Sequence, residues 1–510
     1  MITSTRNNLS FSLILFFAIT LTFQSCKKSR SDMGQVLFIK TKNKVFKDVT
    51  PEGFAEVFKK VLAADSSKMA YPKVVMAYYQ QNDYDPIFVM DHLFNGDLKT
   101  SVIAYQNAYL HGLDAKMFNA DKIAALMNKL ISKNGVKNVD EAYHLIAELE
   151  LQSANSLIIY GNALQYGVIN PKWIYARYYT ETKRPDSASM SKVFHITNFK
   201  TYLDSIQPKD PQYLALQKAL IDGTQADGIS KEETKRALIV ALERQRWKNK
   251  PTENKYVIVN IPDYTLDVTD SGKSVLHMKV CVGEGRNKTN SYSLVSYTDT
   301  AEIDKPFSHE TPQLNSMIHS VQVNPVWNIP QSIVTKEIIK AAQDDKFYLA
   351  NKGIDVYKNG DKIEDTESIN WAAAAKEGSD YEFKQKPGDE NSLGKIKFLF
   401  KNKSSVYMHD TPAKLAFKKA ERDVSHGCVR LGDPQGLALT LFGPSEEYDI
   451  IAKDMAADKP DPTTIGLPKK VPLYITYVTT WIDAAGKLQF RKDVYGLDVV
   501  LYNALVKTVM

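Results

Sequence analysis

The stretch YVIVNIPDYTLDVTDSGKSVLHMKVCVG, Tyr256 to Gly283, marks where the chain changes character. Polar and β-branched residues alternate with period two, and Asp270-Ser271-Gly272 supplies a hairpin turn, so the stretch predicts paired strands and the start of a β-rich domain. Downstream, HSVQVNPVWNIP (319–330), KIKFLFKN (395–402), SVYMHDT (405–411), VPLYITYVTTWID (471–483) and KLQFRKDVYG (487–496) read as further strands. The helical text QSIVTKEIIKAAQ (331–343) interrupts them. Upstream the period is that of amphipathic helices, as in EAYHLIAELELQSANSLIIYGNALQYG (141–167), which ends at a glycine. A polar, proline-containing break near Asp204–Asp210 precedes two shorter helical patterns, 213–223 and 231–247. These shifts predict a multidomain α+β protein: an all-helical region over 26–205, a helical connector over 206–250 and a β-rich domain over 251–510.

Composition narrows the class. The 510 residues are 44% hydrophobic and 24% charged, which fits neither a disordered chain nor a multi-span membrane protein. A formal charge of +6 is too thin to point to nucleic acid as a partner. Three cysteines, Cys26, Cys281 and Cys428, exclude a disulfide framework and any four-cysteine metal site. Each must therefore be explained singly. Arg6 precedes a 15-residue apolar stretch, Leu9 to Phe23, that is shorter than a membrane-spanning helix and is followed by Gln24-Ser25-Cys26. Residues 1–25 thus read as an export signal. Cys26 resembles the lipidated first residue of a lipoprotein, which would place the protein in the cell envelope with a lipid anchor in a membrane.

The chemistry concentrates in SVYMHDTPAKLAFKKAERDVSHGCVRLGDP, Ser405 to Pro434. A nucleophilic thiol needs a base and backbone N–H donors for the oxyanion of a tetrahedral intermediate. His409, nineteen positions before Cys428, is a candidate base, and the His426-Gly427-Cys428 turn is a candidate source of the donors. Arg430 would pair with a substrate carboxylate or hold the turn. Cys281, flanked by valines, reads as strand filling. His277, His309 and His319 lack metal-ligand spacing, so no metal is expected. His426 serves equally well as turn support, Asp410 and Asp423 as loop caps, and Trp327 as a core aromatic. Lys414, Lys418 and Lys419 read as a solvated face.

His409 with the later Ser425-His426-Gly427-Cys428-Val429-Arg430 resembles the signature of the YkuD-type L,D-transpeptidases, which cross-link peptidoglycan through a catalytic cysteine. Further blocks resemble the large YcbB-like subgroup, which carries a helical scaffold domain ahead of the catalytic one. They are Asn324 to Pro330, Lys386-Pro387-Gly388 with Asn391-Ser392-Leu393-Gly394, Asp493-Val494-Tyr495-Gly496 and Ala108 to Asp114. The resemblance runs from about Thr100 to Met510. It implies a β-sandwich-like catalytic fold, a helical lid inserted over about 331–390, and no cofactor. Cys428 would be the nucleophile, His409 the base oriented by the Asp410 carbonyl, and His426 and Gly427 the oxyanion turn. Arg430, Trp327, Tyr381 and Asp410 would meet the substrate. The partners implied are peptidoglycan stem peptides and a cell-wall synthesis complex, and a carbapenem should acylate the same cysteine. Water in place of an acceptor amine would make the enzyme an L,D-carboxypeptidase, and loss of chemistry would leave an envelope scaffold. A Cys/His pair also predicts activity that falls in acid and is not flat between about pH 5 and 9. Two departures stand out: the peptidoglycan-binding helical module is reduced to Asp227-Gly228 with Thr234, and residues 287–310 are inserted before Thr311-Pro312.

Overall fold

The computed structural model describes residues 30–285, 309–376, 378–457 and 461–508. Cys26, the export signal and residues 287–308 of the inserted loop lie outside the described residues. A helical region comes first and a β-rich region follows. The longest helix, Val139–Tyr166, starts where the Asn138 side chain accepts the Glu141 N–H and stops at Gly167, whose φ of 76° suits a residue without a β-carbon. Phe54, Phe58, Phe88, Phe118 and Phe199 pack with it into one core. Within that core Glu150 is fully buried and accepts the Tyr79 hydroxyl at 2.6 Å and the N–H groups of Phe88 and Val89 at 3.1 and 2.9 Å. Burial pushes its carboxyl up to about 8 against the pull of those three donors.

Beyond Gly167 the chain leaves the helical core. Ile169, Ile174, Tyr175 and Tyr178 pack with the sheet, and Met190 to Ile206 return to the helices. The two cores are therefore interwoven at 169–206 rather than parted at a single break.

Sixteen strands occur among the described residues. They are β1 Tyr178–Tyr179, β2 Lys255–Asn260, β3 Thr265–Asp270, β4 Lys273–Gly283, β5 Gln313–Val323, β6 Trp327–Asn328, β7 Ile354–Lys358 and β8 Asp361–Ile363. Then come β9 Tyr381–Gln385, β10 Ile396–Phe400, β11 Met408–His409, β12 Asp423–Ser425, β13 Val429–Leu431, β14 Thr463–Thr476, β15 Thr480–Ile482 and β16 Leu488–Phe490. The β3–β4 hairpin turns on Ser271 and Gly272, both at positive φ (49° and 78°) as a two-residue turn requires. The main sheet runs β5-β10-β11-β13-β4-β3-β2-β14, and β14 pairs again with β5, so the strand path closes on itself. Closure leaves these strands no open edge along that path.

The lid segment was expected to be helical and is only partly so. Short helical turns between Gln331 and Asp344, one of them a π turn over Val334–Ile338, give way to a four-stranded sheet in the order β6-β9-β7-β8. Val334, Ile339, Val356 and Phe383 fill a core of its own. Strands of two to five residues between polar turns carry too few alternations to be read from sequence.

A capping box between Ser230 and Glu233 starts the helix Lys231–Arg246, which joins these parts. Arg246 pairs with Glu243 at 2.7 Å, both fully buried, and reaches the His111 carbonyl at 2.8 Å and the Tyr213 hydroxyl at 3.2 Å. Glu243 also accepts the Ile169 N–H at 2.8 Å. Arg244 pairs with Asp498 in the C-terminal helix Leu497–Lys507 and contacts the Tyr175 hydroxyl at 3.2 Å. Asp493 lies beside Asp498, and burial and then that neighbouring carboxylate push its carboxyl up. Replacing Arg244 by Met leaves this acidic pair without its cation. We expect Arg244→Met to cost about 3–5 kcal/mol, read as a lowered urea midpoint, and an unchanged midpoint would remove the pair from any structural role.

Candidate functional site

Two very short strands build the site. β11 and β13 pair in parallel with Met408 opposite Val429 and His409 opposite Arg430. Paired residues share a face of a sheet, and residues two apart on a strand share it too. Tyr407, His409, Cys428 and Arg430 therefore project from one side. Lys397 joins them because β10 places it opposite His409, and Cys281 because β4 places it opposite Arg430.

Around the thiol, the Tyr407 N–H donates to Cys428 Sγ at 3.4 Å. The Lys397 ammonium lies 5.1 Å from the centre of the Tyr407 ring. Burial pushes the Cys428 thiol up, opposed by the Tyr407 N–H, Arg430 and Lys397. His409 is buried, and its Nδ1 donates to the Asp410 carbonyl. A carbonyl only accepts, so Nδ1 carries the proton and Nε2 presents a lone pair. Burial pushes this imidazole down to about 4, with Arg430 acting in the same direction and the Asp410 carbonyl against it. Near neutral pH the resting site thus holds a thiol and an uncharged imidazole.

The turn before Cys428 is fixed from several sides. Ser425 Oγ donates to the Cys428 carbonyl at 2.6 Å and accepts the Gly427 N–H at 3.1 Å. Thr311 Oγ1 donates to the Gly427 carbonyl and accepts the Gly283 N–H, both at 2.8 Å. The buried Tyr495 hydroxyl donates to the Gly283 carbonyl at 2.9 Å and accepts the Thr311 N–H at 3.2 Å. Gly427 sits at φ 113°, a conformation that excludes most side chains. Its N–H is engaged, whereas the Cys428 N–H has no acceptor among the described residues. Arg430 likewise has no acidic partner among the described residues, so its cation faces the site uncompensated.

The remaining sequence candidates fall into different places. His426 is half-exposed, and its Nε2 meets Glu337 of the π turn at 2.5 Å, while its ring lies 4.4 Å from that of His309. It therefore joins the turn to the lid segment. Asp410 was expected to meet substrate, but both its oxygens are taken, by the Lys395 N–H at 2.9 Å and the Lys414 ammonium at 2.5 Å. Its carboxylate braces a loop. A β-carbon on Gly394 would lie 2.4 Å from Asp410 Oδ2, which explains the glycine ending Asn391-Ser392-Leu393-Gly394. Tyr381, expected on the substrate path, is buried in the lid core beneath the Lys358 ammonium. Trp327 is half-buried against the same core, opposite Gln385 on β9. Cys281 is fully buried and its thiol is pushed up by burial.

Sequence reading passed over Tyr407, Lys397 and Thr311. The alternation in KIKFLF marked Lys397 as a polar strand position, but only the register with β11 puts it beside His409. For a thiol held above its ordinary range, the thiolate fraction grows about tenfold per pH unit below the pKa. The iodoacetamide alkylation rate of Cys428 should accordingly rise about tenfold per unit from pH 7 to 9. A rate already at its plateau at pH 7 would show a pre-formed thiolate.

The description of an L,D-transpeptidase catalytic domain, the YkuD family, matches residues 254–442, which include Cys428, His409 and Arg430. A Scaffold domain matches residues 73–220. A protein of Haemophilus influenzae named "Putative L,D-transpeptidase" is 25% identical over 326 residues, 64% of this chain and 61% of the relative. The chain thus spans less than two thirds of that relative's length. The two domain matches in this order, with Cys428 and His409 on one face of a closed sheet, give the chain a YkuD-type L,D-transpeptidase catalytic domain with a Scaffold domain ahead of it.

Proposed function

We propose that this protein forms 3–3 cross-links in peptidoglycan through a cysteine acyl-enzyme. The observation that carries the reading is the β11–β13 register, which sets a thiol, an imidazole with a free Nε2 and an uncompensated Arg430 on one face. As Cys428 Sγ attacks the carbonyl between the L-centre and D-centre residues of a donor tetrapeptide, His409 Nε2 takes the thiol proton. The Cys428 N–H is placed to stabilise the oxyanion. His409 then gives its proton to the departing amine, so terminal D-alanine leaves and a thioester remains. The side-chain amine of a second stem attacks that thioester, loses a proton to His409 and expels Sγ, which is reprotonated. Arg430 supplies a fixed cation for a substrate carboxylate. The lid segment, joined to the turn through Glu337 and His426, borders this path.

Incubation with disaccharide tetrapeptide and mass spectrometry of the products tests the reading. A cross-linked dimer is expected from the wild type and none from Cys428→Ala, while His409→Gln should lose about 10²–10⁴-fold in rate. Tripeptide alone would identify a carboxypeptidase. A carbapenem should add its intact mass to the wild type and nothing to Cys428→Ala. Because the base must be neutral and burial holds His409 at about 4, the acid limb of kcat/KM should fall near pH 4. The profile should therefore be flat from about pH 5 to neutrality.

The same reading places the protein in the cell envelope, anchored through a lipid on Cys26 and able to work within a wall-synthesis complex. No helix among the described residues is long and apolar enough to cross a membrane. Palmitate labelling of cells should be lost in Cys26→Ser, and unchanged labelling would exclude the anchor.

A further inference from the structure

A groove of about 480 Å³ opens where residues 172–183, the end of the connector and the paired β5 and β14 meet, with Asn315 opposite Tyr474. Lys172, Lys183, Lys248 and Lys250 line it against one carboxylate, Glu181. Lys250 already pairs with Asp210 at 2.7 Å. Lys183 and Lys248 are joined by an isolated antiparallel bridge, with the Lys183 N–H donating to the Lys248 carbonyl at 3.2 Å. Like charges set directly opposite on paired strands repel; neither ammonium forms an ion pair among the described residues, and Asp186 is the one carboxylate there whose shift registers Lys183. This arrangement favours an anion between them. An adjoining cavity that shares Glu181, Asn315 and Tyr474 is bordered by the exposed Tyr179.

Lysines beside an exposed aromatic face and the amides of Asn249 and Asn315 match a ligand that carries carboxylates on an amide-bearing sugar chain. We propose that this groove binds a peptidoglycan strand, its stem carboxylates on Lys183 and Lys248 and its sugar faces on Tyr179 at the adjoining cavity. The proposal rests on the function argued above and extends it from the reacting stems to the polymer that carries them. Asn315 lies four residues, about 13 Å of extended chain, beyond Thr311, which holds the catalytic turn. A strand in the groove would be held close to the reacting site by the same segment of chain.

The test is co-sedimentation of the Cys428→Ala protein with purified sacculi. Adding Lys183→Gln, Lys248→Gln and Tyr179→Ala should weaken binding about tenfold. Sacculi stripped of stem peptides by an amidase should lose the lysine-dependent share. The same three substitutions in the protein with Cys428 intact should leave kcat/KM on soluble disaccharide tetrapeptide within about twofold of wild type, since none touches the Cys428 site. Unchanged sedimentation would overturn the groove, as would a loss seen on phosphatidylglycerol vesicles in place of sacculi. If the substitutions weaken sacculus binding but the wild type makes no product from tetrapeptide, the groove stands and the transpeptidation reading fails. Product formation with unaltered sedimentation fails the groove alone.

Discussion

The helix Lys231–Arg246 carries Glu243, Arg244 and Arg246 into a region shielded from water, and each finds its partner on a different part of the chain. Charges removed from water are tolerated only when paired and hydrogen-bonded, so every partner becomes obligatory. Arg246 demands the His111 carbonyl and the Tyr213 hydroxyl, Glu243 the Ile169 N–H, and Arg244 the Asp498 carboxylate. Helical region, connector and C-terminal helix are held in one arrangement by this set. A purely apolar contact of the same size would bind the parts together with less directional constraint.

From that joint the constraint passes to the site. Asp498 accepts Thr479 Oγ1 at 2.6 Å, and its own N–H donates to Asp493, which also takes the Tyr477 hydroxyl at 2.6 Å. Tyr477 in turn accepts the Tyr495 N–H at 2.8 Å, and the Tyr495 hydroxyl reaches Gly283 and Thr311 beneath the catalytic turn. A continuous chain of buried hydrogen bonds thus runs from Arg244 to Gly427. The block Asp493-Val494-Tyr495-Gly496, far from the cysteine in sequence, takes its importance from this support.

The neutral thiol and imidazole have the same origin. Burial disfavours both charged forms, and Arg430 and Lys397 favour the thiolate while disfavouring the imidazolium. Desolvation is the larger effect on each group, so the pair rests uncharged. His426, within the catalytic signature, serves instead as the link to Glu337 on the lid segment.

Periodicity and turn chemistry in the sequence alone determined the order of a helical and a β-rich region, the hairpin at Ser271-Gly272 and the place of Cys281 inside a strand. These rest on local preferences that act within a few residues. Tertiary structure decided what depends on register and on which groups lose water. The strands at Met408–His409 and Val429–Leu431 are too short to announce their pairing, yet that pairing selects Tyr407 and Lys397 as neighbours of the thiol. Asp410 and Tyr381 look like cleft residues in sequence and prove to be a brace and a core side chain, because burial is a property of the assembled lid. The lysine-lined groove belongs to the same class: its residues come from segments more than 60 positions apart, and only the fold sets Lys183 against Lys248.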